Sequence, residues 1–154
     1  MKKIPLTQDK VALIDDTDYP LVTQHNWHAH PKSNGSICYA RSNVRPRLLM
    51  HRLILGPAPD QMVDHIDGNG LNNCRSNLRL CSNSLNRGNS TKKYKGTSKY
   101  KGVCWDRESR KWRAFVTRDY KKIGLGRFSS EIDAARAYDM KARELFGEFA
   151  RTNF

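Results

Sequence analysis

The spacing of apolar residues divides the chain into short elements. Residues 101–105, 111–117 and 122–128 alternate and read as three strands. In the second, Trp112, Ala114 and Val116 share one face, and Lys111, Arg113, Phe115 and Thr117 share the other. In the third, Ile123 and Leu125 mark the core side, with Lys122 and Arg127 on the open side. The period then changes. Ser130 with Asp133 fits a capping box, Ile132, Ala135, Tyr138, Ala142, Leu145 and Phe149 recur at three- or four-residue steps, and Gly147 is placed to stop the helix. The pattern predicts a three-stranded antiparallel sheet packed on one helix.

The rest of the chain is more broken. Val11-Ala12-Leu13-Ile14 reads as a short buried strand ended by acidic residues. Residues 27–30 and 37–41 flank Ser33-Asn34-Gly35-Ser36, a hairpin signal. Met62-Val63 leads a strand that ends at the Asp67-Gly68-Asn69-Gly70 turn. Leu78-Arg79-Leu80-Cys81 forms a second, and Ser82 is placed to cap a short helix carrying Leu85 and Asn86. The order is strand, polar loop, strand, helix. Gly56-Pro57-Ala58-Pro59 sets a rigid loop before it.

Charge adds a partner class. The 154 residues hold 28 Lys+Arg and 15 Asp+Glu, a net charge of +13. Residues 1–50 carry +3, residues 51–91 carry +1 and residues 92–154 carry +9. A polyanion, nucleic acid first, is the expected partner, against the plainer reading of a solvated basic surface. The polar run 87–99 reads as a basic linker in which Lys92, Lys93 and Lys95 can track phosphates or simply tether. Arg41, Arg45 and Arg47 are further phosphate contacts to consider. No run approaches a membrane span, and no apolar stretch follows Met1-Lys2-Lys3 as a signal peptide needs, so an intracellular protein is expected. Cys38, Cys74, Cys81 and Cys104 contain no C-x-x-C, so reduced thiols are expected rather than structural zinc; Cys74 with Cys81, or His28 with His30, would make only half a metal site.

The middle segment brings an acid, an imidazole and amides together. Asp64 and His65 are neighbours that a regular strand would point to opposite faces, so convergence requires the strand to end or twist there. Oxygens of Asp64 and Asn86 are hard donors suited to Mg²⁺ or Mn²⁺. His65 can accept a proton from an attacking water. The amide of Asn77 can bond backbone on both sides of the loop.

The longer string, His51-Arg52-Leu53, Asp64 through Asn73, Asn77-Leu78-Arg79 and Asn86, resembles the HNH endonucleases, in particular the homing type encoded by phages and introns. The resemblance implies a ββα-metal (His-Me finger) core, with His65 as general base, Asp64 and Asn86 as metal ligands, and Asn77 bracing the loop. Asn83 and Asn89 are rival amide donors, with spacing favouring Asn86. His51 falls at a helix start, where a structural role is expected. Arg79 or Arg87 can clamp a phosphate or remain solvated.

Residues 98–154 resemble the Apetala-two/ethylene-response-factor DNA-binding domain. The carrying residues are Tyr100-Lys101-Gly102-Val103, Lys111-Trp112-Arg113-Ala114, Leu125-Gly126-Arg127-Phe128, residues 134–139, and Asn153-Phe154. The resemblance implies a sheet laid in the major groove, with Lys101, Lys111, Arg113, Lys122 and Arg127 facing DNA. Cys104 stands where the plant proteins have Arg, Asp106 replaces another family residue, and Phe115, Thr117 and Gly124 replace Glu, Arg and Trp, so the plant target is not inherited.

The expected protein is α+β: a β-rich segment 1–50, a nuclease core 51–91, a linker 92–99 and a DNA-binding domain 100–154. Its expected activity is metal-dependent hydrolysis of double-stranded DNA, homing-like and strand-nicking, with Mg²⁺ or Mn²⁺, as a monomer or weak dimer in a bacterial or phage-infected cell. The rivals are a DNA-binding regulator with an inactive core and a basic RNA-binding or assembly protein.

Overall fold

Strands of four or five residues cannot make a stable sheet alone, so their ribbons must share a core. The computed structural model describes residues 1–31, 38–45, 47–90 and 96–154. The predicted turn at 33–36 and Lys92, Lys93 and Lys95 lie outside the described residues. The chain forms two compact units, Met1–Ser82 and Asn83–Phe154.

In the first unit, β1 (Lys2–Pro5) pairs antiparallel with β2 (Val11–Ile14). A short helix α1 (Tyr19–Val22) leads to β3 (Trp27–Pro31), which pairs with β4 (Cys38–Ser42). Helix α2 (Met50–Leu55) ends at Gly56, whose φ of +57° suits the left-handed cap. Then β5 (Met62–His65) pairs with β6 (Leu78–Cys81). Ile4, Ile14, Val22, Trp27, Ala40, Met50, Ile54, Val63 and Leu78 form one cluster. The apolar side chains of residues 1–50 complete the core on which β5 and β6 rest.

That segment also grips the loop between β5 and β6. The Leu13 N–H donates to Leu71 O and Leu13 O accepts from the Asn73 N–H, both at 2.8 Å. Asp15 accepts from the Arg75 N–H at 2.7 Å, and buried Asp18 takes the Arg75 guanidinium at 2.7 Å.

In the second unit, α3 (Asn83–Gly88) precedes a sheet ordered β7 (Val103–Asp106), β8 (Lys111–Arg118), β9 (Lys121–Phe128), antiparallel throughout. Asp119 and Tyr120, both at positive φ, turn β8 into β9. Helix α4 (Glu131–Phe146) opens with Ser130 Oγ accepting from the Asp133 N–H and stops at Gly147. Val103, Ala114, Ala134 and Ala135 form its core with Tyr100, Trp112, Leu125 and Phe128 around them. The buried stripe of α4 runs through Ala134, Ala135, Tyr138, Ala142 and Phe146. Ile132, expected in it, is exposed, whereas Ala134, not expected in it, is fully buried.

Helix α3 is seated within this second unit. Gly88 is buried against Phe146, where a Cβ would come within 2.8 Å of the ring. Its carbonyl accepts from Lys101 Nζ at 2.6 Å, and also from the Arg151 N–H. The Arg87 guanidinium lies 4.4 Å from the centre of the Tyr120 ring.

Candidate active site

The strand β5 stops at His65, where the Gly68 N–H returns to the His65 carbonyl at 2.9 Å. Asp64 and His65 are both buried, at 5% exposure each, on a strand only four residues long. Asp64 lies opposite Arg79 in the β5–β6 register. Arg79 Nε and Nη2 both donate to Asp64 Oδ2, at 3.0 and 2.8 Å.

The His65 ring is oriented by Asn73. Asn73 is fully buried, and its Nδ2 donates to Leu71 O at 3.1 Å. Its Oδ1 therefore faces His65 Nε2, 3.3 Å away. An amide oxygen only accepts, so Nε2 carries the proton and, in the neutral ring, Nδ1 carries the lone pair. His51 packs edge-on against His65 with ring centres 4.9 Å apart, and Tyr39 lies 5.2 Å from His51 and 5.7 Å from His65. Gly70 fits beneath Tyr39: a Cβ there would stand 2.5 Å from both Cys38 O and the Tyr39 ring.

Asparagines and one aspartate make the loop rigid. Asn77 Oδ1 accepts from the Asp67 N–H, while its Nδ2 donates to Asp67 Oδ1 and to Asn72 O. Asp67 also accepts from the Asn69 N–H and from Asn72 Nδ2. Burial opposes ionisation of Asp67, but these hydrogen bonds and the nearby His65 outweigh it and hold its carboxyl below the usual range.

The donor chemistry fits a hard cation. No group of three His, Cys, Asp or Glu side chains converges among the described residues. The buried Asp64 carboxylate is a hard oxygen donor of the kind that suits a hard divalent cation. The Cys81 thiol is pushed up to about 11 by burial and by Asp64, against the pull of Arg79. Burial likewise raises Cys74. Both stay protonated near neutral pH. Asn86 is half-exposed on α3, and so belongs to the second unit.

On the second unit, Lys111, Arg113, Lys122 and Arg127 are exposed on the open sheet face. Lys122 Nζ sits 3.6 Å above the Phe115 ring, and Arg127 Nε donates to Asp106 Oδ2 at 2.8 Å. The ammonium of Lys101, a residue expected to face DNA, donates to Gly88 O and lies near the Tyr138 ring. Burial, then Arg151, lowers it to about 8, against the pull of Asp139.

Sequence reasoning passes over Asn73 and Tyr39 and gives His51 only a structural role. The two asparagines at 72 and 73 are a visible signal, but only the contact with Leu13 shows which one turns inward. No helix among the described residues is long and apolar enough to cross a membrane.

Comparison with known proteins places these features in a family. The HNH endonuclease family matches residues 48–87, which span α2, the β5–β6 ribbon and most of α3. An uncharacterised HNH endonuclease of Acanthamoeba polyphaga mimivirus is 33% identical over 147 residues, covering 92% of this chain and 74% of its own. Protein 3.8 of Escherichia phage T7 is 37% identical over 97 residues, covering 62% of this chain and 79% of its own. No solved structure matches. With that first relative matched over most of both chains, and the family match falling on the segment that holds Asp64 and His65, this chain belongs to the HNH endonuclease family.

Proposed function

We propose that this DNA-cleaving hydrolase is a metal-dependent, strand-nicking endonuclease of the homing type, with a ββα-metal core and an Apetala-type DNA-binding domain. The observation that carries the reading is the Asn73–His65 contact, which gives the imidazole a defined basic nitrogen on the residue that follows a buried aspartate.

His65 Nδ1 takes a proton from the water that attacks the phosphorus. The new P–O bond forms as the bond to the 3′-oxygen breaks, leaving a 5′-phosphate and a 3′-hydroxyl that is protonated from solvent. Asp64 and Asn86 are the residues that the family resemblance assigns to a divalent ion, magnesium or manganese, which would supply positive charge to offset that of the phosphate and the departing oxygen. Asn77 acts by fixing the loop that carries Asn72 and Asn73. One such site cuts one strand of double-stranded DNA, and a monomer suffices for a nick.

The open sheet face supplies attachment. Lys111, Arg113 and Lys122 project from adjacent strands, and Arg127 joins them once released from Asp106. Lys92, Lys93 and Lys95, outside the described residues, add three positive charges to the chain. Binding through phosphates makes affinity fall with salt by about 0.9 log unit per neutralised phosphate. Such a protein works where DNA is, inside the cell.

Supercoiled plasmid incubated with Mg²⁺ or Mn²⁺ tests the reading. The wild type gives nicked circles and His65→Ala gives none. DNA binding without a cut under either metal, including on DNA flanking the protein's own gene, would favour the regulator with an inactive core.

A further inference from the structure

The Asp64–Arg79 pair is unusual in its placement. It joins directly opposed residues of a two-stranded ribbon, with side-chain exposures of 6% and 13%. A buried ion pair adds little net stability over two apolar side chains, yet removing one member leaves a costly uncompensated charge. A small ribbon gains nothing obvious from carrying one. The carboxylate involved is also the one that offers hard oxygen to a divalent ion.

We propose that Arg79 is a positioning residue that stands in for the divalent cation, holding and charge-balancing the Asp64 carboxylate until the metal takes it over. This rests on the reading of Asp64 as a metal ligand. Both nitrogens that grip Asp64 come from the neighbouring strand, so the grip is built by the β5–β6 register and needs no substrate. The metal-free chain therefore keeps its carboxylate held in one place. The arginine also competes with the incoming ion for the same oxygen, so metal binding is weaker than the carboxylate alone would give. That competition separates a stand-in from an ordinary structural pair.

The test uses the full chain and Mn²⁺ alone, without DNA. Calorimetric titration and thermal unfolding are run on wild type, Arg79→Met, Arg79→Lys and Asp64→Asn. Arg79→Met is expected to bind Mn²⁺ about tenfold tighter than wild type. In chelator it melts about 5 °C or more below wild type, and saturating Mn²⁺ closes most of that gap. Arg79→Lys, which keeps the charge but not the fork, falls between the two. Equal or weaker Mn²⁺ binding by Arg79→Met overturns the proposal, as does a melting deficit that Mn²⁺ leaves unchanged. If Arg79→Met does not fold in chelator, Arg79→Lys decides by its affinity alone. Mn²⁺ affinity indifferent to Asp64→Asn overturns the underlying ligand reading, and the proposal with it.

Discussion

The side-chain oxygen of Asn73 lies 3.3 Å from Nε2 of His65, and the amide is locked in that sense by its bond to Leu71. The asparagine therefore chooses which nitrogen of the histidine is basic. Asn73→Ala should lower kcat for nicking by about 10²-fold, the lower end of what a positioned base contributes, with KM little changed. The loss of buried hydrogen bonds should cost about 1–2 kcal/mol in urea unfolding. Unchanged kcat in a folded variant would remove Asn73 from the mechanism.

Gly70 sets how closely the loop approaches β4. A methyl group at this position meets the Cys38 carbonyl and the Tyr39 ring at 2.5 Å, and neither can retreat without moving the strand. Gly70→Ala should destabilise the first unit by about 1–3 kcal/mol. Denaturant midpoints with an unchanged m-value are the measurement.

Lys101 makes the second unit sensitive to alkali in an unusual direction. Its ordinary value of 10.5 falls to about 8 in the fold, first through burial and then through Arg151. Between these values the unfolded chain holds more protons, so this group makes stability rise with pH. The penalty is fully present below pH 8 and relieved by about 10.5. Urea unfolding of the wild type from about pH 7 to 10 should show the rise, and Lys101→Met should flatten it.

Asp106 holds Arg127, one of the residues proposed to meet DNA, in an ion pair. The Arg127 hydrogen bond, helped by the Ser109 amide, lowers the Asp106 carboxyl to about 2, so the pair persists at any ordinary assay pH. Asp106→Asn should free the guanidinium, tighten binding to duplex DNA and steepen the log–log salt dependence by about 0.9 if one phosphate is added. Fluorescence anisotropy across a salt series reads both quantities.

Elements with strong internal periodicity are legible in the sequence itself. The strands around Trp112 and Leu125 lie where alternation predicts them, and α4 is bounded by Ser130 and Gly147. A helical stripe drawn through the larger apolar side chains takes in Ile132 and omits Ala134, the reverse of what is buried. The strand–loop–strand–helix order around Asp64 is also readable, since turn residues separate it cleanly. What escapes is whatever depends on distant chain. Residues 1–50 show weak patterns because each ribbon is short, and only their shared core explains them. Lys101 reads as a surface base next to Gly102, yet Gly88, thirteen residues earlier, captures its ammonium.

The seating of α3 has a consequence for any attempt to exchange the second unit, the proposed targeting module, between such enzymes. The polar run beginning near residue 90 looks like the natural seam, and a chimera joined there would part Gly88 from Phe146 and Arg151. The donor module would arrive with no recipient surface shaped for the helix that carries Asn86. A junction at Ser82–Asn83 transplants α3 together with the helix it packs on, so retargeting by recombination should succeed only when the crossover falls inside the nuclease motif itself.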